Sequence, residues 1–247
     1  MKKPRTLILH TAGTNCDQES ALGIQKVGGD PEIVAVNFLI HGERNILDFD
    51  FLFIPGGFSY GDDIAAGRLL AADLKRIPGL RQFIASGRPI LGVCNGFQAL
   101  VKAGFLPFDR LKQVASFTTN DCGSFVAKWV TLRTNHKSPC IFTKNLSESI
   151  DLPIAHGEGK FVTGTEDILA RIIDTECVAL TYLHNPNGSQ ADIAGLCNVS
   201  GNCFGLMPHP ERYLTPYHHP TWTRRLPENN ELGLCLLENG VRYACAV

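Results

Sequence analysis

The sequence has no apolar run approaching the roughly 18 residues needed to cross a membrane. It has no charge excess either. Lys and Arg number 23 against 24 Asp and Glu, a formal net charge of -1. A near-neutral chain lacks the electrostatic footprint of a general nucleic-acid binder. Met1-Lys2-Lys3-Pro4-Arg5 resembles the charged start of a signal peptide, but Leu7-Ile8-Leu9 is its whole apolar follow-on, against the roughly 7–15 residues required. A cytoplasmic chain is expected. The nine cysteines are odd in number and contain no Cys-x-x-Cys pair, so neither a disulfide framework nor a zinc ribbon is indicated. No Gly-x-Gly-x-x-Gly and no Gly-Lys-Ser/Thr occurs, which leaves phosphate binding poorly supported. Nor is there an internal repeat, a low-complexity segment or a linker, so residues 1–247 read as one domain.

What is present is ordinary globular composition, 44% hydrophobic and 19% charged. For 27.0 kDa the surface scaling law predicts about 10,800 Å² exposed after folding, enough burial for a sizeable core. Residues 6–9 read as a strand, Asp17 to Val27 as a helix stopped by Gly28-Gly29, and Glu32 to Leu39 as a second strand, together a βαβ unit. Phe49 to Ile54 is a third strand, Asp62 to Arg76 a helix, Pro89 to Val93 a fourth strand and Gly96 to Lys102 a helix. This alternation predicts an open α/β sheet, mostly parallel, with helices on both faces. From about Leu111 the character changes. Phe125 to Val130 and Val178 to Tyr182 read as strands with few helices around them. Antiparallel strands are expected there, extending the sheet or forming a second small one. A last helix is predicted over Glu228 to Arg242.

The most informative stretch is Leu91-Gly92-Val93-Cys94-Asn95-Gly96-Phe97-Gln98. A buried strand runs into Gly-x-Cys-x-Gly and then a helix, the thiol version of a nucleophile elbow. Two glycines relieve crowding where strand, turn and helix meet, and the turn lifts the sulfur above the sheet edge. Unpaired N–H groups at the helix start suit an anionic sulfur. The N–H of Asn95 is placed to stabilise an oxyanion. The alternative is that Cys94 is a small buried hydrophobe.

His209-Pro210-Glu211 offers partners. In an extended segment residues two apart share a side, so Glu211 could orient His209 toward the thiol, the arrangement of an acyl-transfer triad. The alternative is a surface turn that never meets Cys94. Pro55-Gly-Gly-Phe-Ser-Tyr-Gly-Asp-Asp63 follows the third strand at the end of the sheet where α/β folds build sites. Either the Gly57 N–H supplies the second half of an oxyanion hole, or the segment is a tight turn. Gln98, one helical turn after Cys94, reads equally as a substrate contact or as a packing amide. Tandem His218-His219 lacks a Cys or carboxylate nearby to complete a ligand set, so no metal site is expected.

These residues carry a resemblance. Gly92-x-Cys94-x-Gly96-x-Gln98 with the distant His209-Pro210-Glu211 resembles the class I (triad-type) glutamine amidotransferases. More narrowly, Pro55-Gly-Gly-Phe-Ser-Tyr-Gly-Asp62, Ala155-His-Gly-Glu-Gly159, Asn185-Pro-Asn-Gly-Ser189 and Met207-Pro-His-Pro-Glu-Arg212 are similar to the glutaminase components of phosphoribosylformylglycinamidine synthases. The likeness runs from about Leu7 to Tyr243. It implies a flavodoxin-like fold, Cys94 as nucleophile, His209 as general base then acid, Glu211 as orienter, and the N–H groups of Gly57 and Asn95 as oxyanion donors. It implies glutamine as substrate and ammonia delivered to an ATP-dependent synthetase subunit, with room for a small accessory subunit. No cofactor is expected in this chain, since ATP and Mg²⁺ belong on the partner. Asp63-Ile-Ala-Ala-Gly-Arg68 and the long segment Leu214 to Pro227 depart toward the fused single-chain form of such synthases. The competing readings are a glutaminase for a different synthetase and a non-catalytic α/β regulatory protein with an exposed elbow cysteine. An oriented general base argues against the second.

Overall fold

The computed structural model describes residues 3–108, 112–224 and 226–247. Met1, Lys2 and Leu111, named above, lie outside them. The exposed surface is 10,703 Å², close to the value of about 10,800 Å² that the scaling law gives for this mass.

The first half alternates strand and helix: β1 (Arg5–His10), α1 (Asp17–Lys26), β2 (Asp30–Ala35), α2 (Val36–Ile40), β3 (Phe51–Ile54), α3 (Arg68–Leu74), α4 (Leu80–Ala85), β4 (Ile90–Val93) and α5 (Asn95–Ala103). The second half contains β5 (Ala115–Thr118), β6 (Val126–Thr134), β7 (Ser149–His156), β8 (Lys160–Thr163), α6 (Glu166–Asp174), β9 (Val178–Tyr182), β10 (Ile193–Cys197), β11 (Cys203–Leu206) and α7 (Leu234–Ala244).

Among the described residues nine strands form one sheet, in the order β2-β1-β3-β4-β11-β10-β9-β6-β7. The first five are parallel, the doubly wound flavodoxin-like arrangement. The last four continue it through antiparallel pairs. β5 and β8 form a separate two-stranded antiparallel ribbon. Both outcomes left open by the sequence therefore occur.

Alternation along the strands sorts the core into two layers. Phe51, Phe53 and Phe204 point to one face, where Phe142 packs between Phe51 and Phe204 and Gly240 of α7 abuts the Phe51 ring. Gly92 and Gly205 point to the other, where Leu100 and Phe97 of α5 lie against them. The sheet is thus covered on both faces.

Four expectations need correction. The strand expected over Glu32 to Leu39 stops at Ala35, because its neighbour, β1, ends opposite at His10; Val36 to Ile40 then curls into a helix. The helix expected over Asp62 to Arg76 begins only at Arg68, since Gly61, Asp62 and Gly67 are all left-handed (φ 69°, 54° and 73°). α4 and α6 go beyond the expected helices, although Thr165 caps α6 by accepting the Ile168 N–H at 3.3 Å. The last helix starts at Leu234 rather than Glu228, after a separate 3-10 turn over Asn229–Glu231.

Candidate active site

The order of the parallel strands reverses at β1, the switch point beside which such sheets form crevices at their carboxyl ends. The segments leaving β1, β3, β4 and β11 meet there. β4 is buried throughout and delivers Cys94 at φ 50°, ψ −104°. A non-glycine residue held at positive φ costs about 1–3 kcal/mol and persists only where its surroundings dictate it. Here they do. The Cys94 N–H donates to Leu206 O at 2.8 Å. A side chain at Gly96 would overlap Ile54 O, and one at Gly92 would come 2.5 Å from Leu100 Cδ1. Cys94 Sγ lies 3.7 Å from Ala155 O. Asn95 opens α5, so its N–H has no intrahelical partner.

His209 follows β11 and is fixed by its own N–H, which donates to Pro153 O at 2.8 Å. The expected extended run stops at this residue. Pro210, with its restricted φ, starts a 3-10 turn over Pro210–Arg212. Glu211 nevertheless reaches back, its Oε1 2.6 Å from His209 Nδ1. Both side chains are buried. With Nδ1–H donating to the carboxylate, Nε2 is left as the basic nitrogen. That atom is buried without a hydrogen-bond partner among the described residues, as is Glu211 Oε2. Burial opposes protonation of His209, but Glu211 and the nearby Cys94 and Cys16 sulfurs outweigh it and hold the pKa well above the ordinary imidazole value. The Cys94 thiol therefore lies beside the ring without closing a well-formed hydrogen bond.

Gly56 is the wedge between these groups. A Cβ there would come 2.7 Å from His209 Cε1 and 3.4 Å from both Cys94 Cβ and Cys16 Sγ. Gly57 has φ 143°, and a Cβ on it would meet Asn15 N at 2.8 Å, Gly13 O at 2.8 Å and Thr14 Cα at 2.9 Å. The turn after β1 thus holds this loop closely. Asn95 ties the same loop to α5: its Oδ1 accepts the Ser59 N–H at 3.3 Å and its Nδ2 donates to Asp62 at 3.0 Å. Gln98 is buried with its amide engaged, accepting from Asn95 Nδ2 at 3.1 Å and donating to Glu158 O at 2.7 Å. Both polar atoms of the Gln98 amide are thus engaged within the protein.

The segment 155–159 closes the far side. Asn120 Oδ1 accepts from the Gly159 N–H at 2.9 Å and faces His156 Nδ1 at 3.1 Å, while its Nδ2 donates to His156 O. Asn187 Nδ2 holds Gly159 O at 2.8 Å. The His156 ring lies flat on Gly159, where any side chain would overlap it. Burial, and then the proximity of His209, push the His156 pKa down to about 4, so it is neutral at physiological pH. Tyr182 is buried in β9.

His219 packs 4.6 Å from the Trp129 ring and 3.5 Å from Asp151, and His218 Nδ1 accepts the Leu214 N–H. This cluster borders a surface cleft containing Thr131, Asp151 and Tyr213 but none of the groups around Cys94.

Residues 3–244 match the CobB/CobQ-like glutamine amidotransferase domain. This chain belongs to that family. It is 40% identical to the phosphoribosylformylglycinamidine synthase subunit PurQ of Treponema denticola, covering 98% of this chain and 99% of that one. It is 39% identical to the protein of the same name from Dehalococcoides mccartyi, with 99% of each covered. Among solved structures, PurLQS from Thermotoga maritima contains a chain matching with TM-score 0.78 at 30% identity, over 98% of this chain and 99% of that one. A glutamine amidotransferase from Thermotoga maritima, at TM-score 0.58 and 15% identity over 100% of both chains, shares the fold.

The candidate site contains groups that sequence reasoning passed over. Cys16 is buried with its Sγ 3.9 Å from His209 Nδ1. No spacing rule marked it, because it reaches the site from the loop after β1. Tyr182 gave no signal beyond strand alternation. His156 and Asn187 stood inside quoted motifs without an assigned role, since their task is to brace the loop 155–159. Among the described residues no helix is long and apolar enough to cross a membrane.

Proposed function

We propose that this chain is the glutaminase subunit of a phosphoribosylformylglycinamidine synthase, in which Cys94, His209 and Glu211 carry the chemistry. The observation behind the triad is the pairing of a cysteine on a strained elbow with a buried histidine whose far nitrogen is tied to a carboxylate at 2.6 Å. Family membership and relatives matching over nearly their whole length support the assignment.

In this reading His209 Nε2 takes the Cys94 proton as the sulfur attacks the side-chain amide carbon of glutamine. The oxyanion is met by the Asn95 and Gly57 N–H groups. His209 returns the proton to the departing nitrogen, and ammonia leaves a thioester on Cys94. Water, deprotonated by His209, then releases glutamate and restores the thiol. The ammonia passes to a synthetase subunit, which uses ATP to convert formylglycinamide ribonucleotide to formylglycinamidine ribonucleotide. A single amidotransferase domain fits the unbroken nine-stranded sheet. The cytoplasm, where glutamine and ATP are both at hand, is the compartment this reading proposes.

The test separates the two halves of the reaction. In the assembled complex, Cys94→Ser should abolish synthesis from glutamine and leave synthesis from an added ammonium salt intact. Loss of both with normal assembly would sink the division of labour.

A further inference from the structure

The Cys94 mechanism leaves one buried thiol at the site unused. Cys16 Sγ lies 3.9 Å from His209 Nδ1, on the side of the ring occupied by Glu211 Oε1 at 2.6 Å. One ligand atom from each of Cys16, His209 and Glu211 falls within 4.8 Å of the others, and all three residues are buried. A second observation points to a ligand. Glu211 Oε2 is buried with no hydrogen-bond partner among the described residues, in a residue only 1% exposed. Such an orphaned carboxylate oxygen is costly unless something occupies it.

We propose that Cys16, His209 and Glu211 form an inhibitory site for a thiophilic divalent cation such as Zn²⁺. Zinc takes thiolate, imidazole and carboxylate at about 2.3, 2.0–2.1 and 2.0–2.2 Å. Tetrahedral ligands at those lengths stand roughly 3.3–3.6 Å apart. The sulfur–nitrogen gap need close only slightly, and the nitrogen–oxygen hydrogen bond must open by less than about 1 Å. Arg212 controls entry. Its guanidinium donates to Cys16 Sγ at 3.1 Å and faces Glu19 at 3.6 Å, with about a third of the side chain exposed. Swinging it outward uncovers the sulfur and removes the competing positive charge.

The inhibition follows from the tautomer and rests on His209 acting as the base. The cation replaces the proton on Nδ1, which moves to Nε2, while the Cys16 thiol proton is released to solvent. Nε2–H cannot accept the Cys94 proton, so the nucleophile is stranded with its geometry intact.

Binding can be read without turnover. Co²⁺ titrated into the Cys94→Ser chain should give a thiolate-to-cobalt charge-transfer band saturating at one equivalent. The band should be lost in the Cys94→Ser/Cys16→Ser double variant, with the exposed Cys122 and Cys245 common to both chains. No saturable band, or the same band in the double variant, overturns the proposal whatever the fate of the glutaminase assignment. In the active complex Zn²⁺ should lower kcat with KM little changed, reversibly on chelation. Cys16→Ser, or Cys16→Ala should the serine not fold, should need at least about tenfold more Zn²⁺ for the same loss, since even indirect ligand contacts are worth about 10–100-fold. Equal sensitivity would place the inhibition on the Cys94–His209 pair and overturn it.

Discussion

Cys94 spends conformational energy to stand where it does, and in the proposed chemistry that strain aims the sulfur at the substrate. Cys94→Ser changes one atom, so the elbow and its flanking glycines should survive. Glutaminase activity should fall by orders of magnitude, and a variant keeping more than about a tenth of it would remove Cys94 as the covalent nucleophile. Glu211→Gln keeps the size and a hydrogen bond to Nδ1 but loses the charge that stabilises the imidazolium, and it permits the wrong tautomer. A fall of up to about 10⁴-fold is expected, smaller than for His209→Ala, with KM for glutamine little changed. Wild-type turnover in steady-state assays of Glu211→Gln would make the 2.6 Å contact incidental. At this scale the sequence was legible where chemistry follows local order. Cys94 sits on a recognisable turn, and His209 and Glu211 are two residues apart. Cys16 was not legible, because it lies 193 positions from His209 and only the sheet brings them together.

The elements carry the site through glycines and buried amides. A methyl group at Gly96 would strike the backbone of β3, whereas one at Gly28 meets nothing within 4 Å. Gly96→Ala should therefore fail to give soluble folded protein. Gly28→Ala should lower stability only by the cost of a left-handed alanine, about 1–2 kcal/mol, readable by denaturant titration. The loop 155–159 adds a pH dependence. His156 is neutral when folded, with a pKa of about 4, and titrates near 6.5 when unfolded. Between those values the unfolded chain binds more protons, so stability falls as pH drops from about 6.5 to 4, by at most about 3 kcal/mol. His156→Asn should flatten that limb of the pH–stability curve, and an unchanged limb would mean that other groups govern it. Element boundaries were legible where hydrophobic runs end at glycine pairs, as after α1. They failed where tertiary pairing decides: β2 ends because β1 does, and α3 starts late because Gly67 packs against Ala99 N and Gln98 Cβ.

At the scale of the whole molecule the question is why such a site should not consume glutamine continuously. Gly57 is gripped from behind by the turn following β1. Phe58 N–H donates to Gly13 O at 2.9 Å and Tyr60 N–H to Ala12 O at 2.7 Å. The orientation of the Gly56–Gly57 peptide is therefore set by contacts outside the triad. Two adjacent glycines carry no side chains to resist a rotation of that peptide once those contacts shift. Phe58, the next residue, is exposed and lies 6.3 Å from the exposed Phe125 ring. A synthetase surface that covers these rings would bear directly on Gly57. Losing one oxyanion donor costs about 10²–10³ in rate, so a rotation of this single peptide is enough to separate idle from active. Weak glutaminase activity is expected from the isolated chain, with a strong rise, mostly in kcat, when the synthetase is added. The alternative control is misalignment of Cys94 and His209 in the free chain, and trapping tells the two apart. Alkylation of Cys94 by a small electrophile forms no oxyanion. It should proceed equally fast with and without the partner if only the Gly57 N–H is withheld, and more slowly in the free chain if the pair itself is out of register. Equal glutaminase turnover in both states would defeat both forms of control, and would mean that the grip of the β1 turn already holds Gly57 in its working orientation.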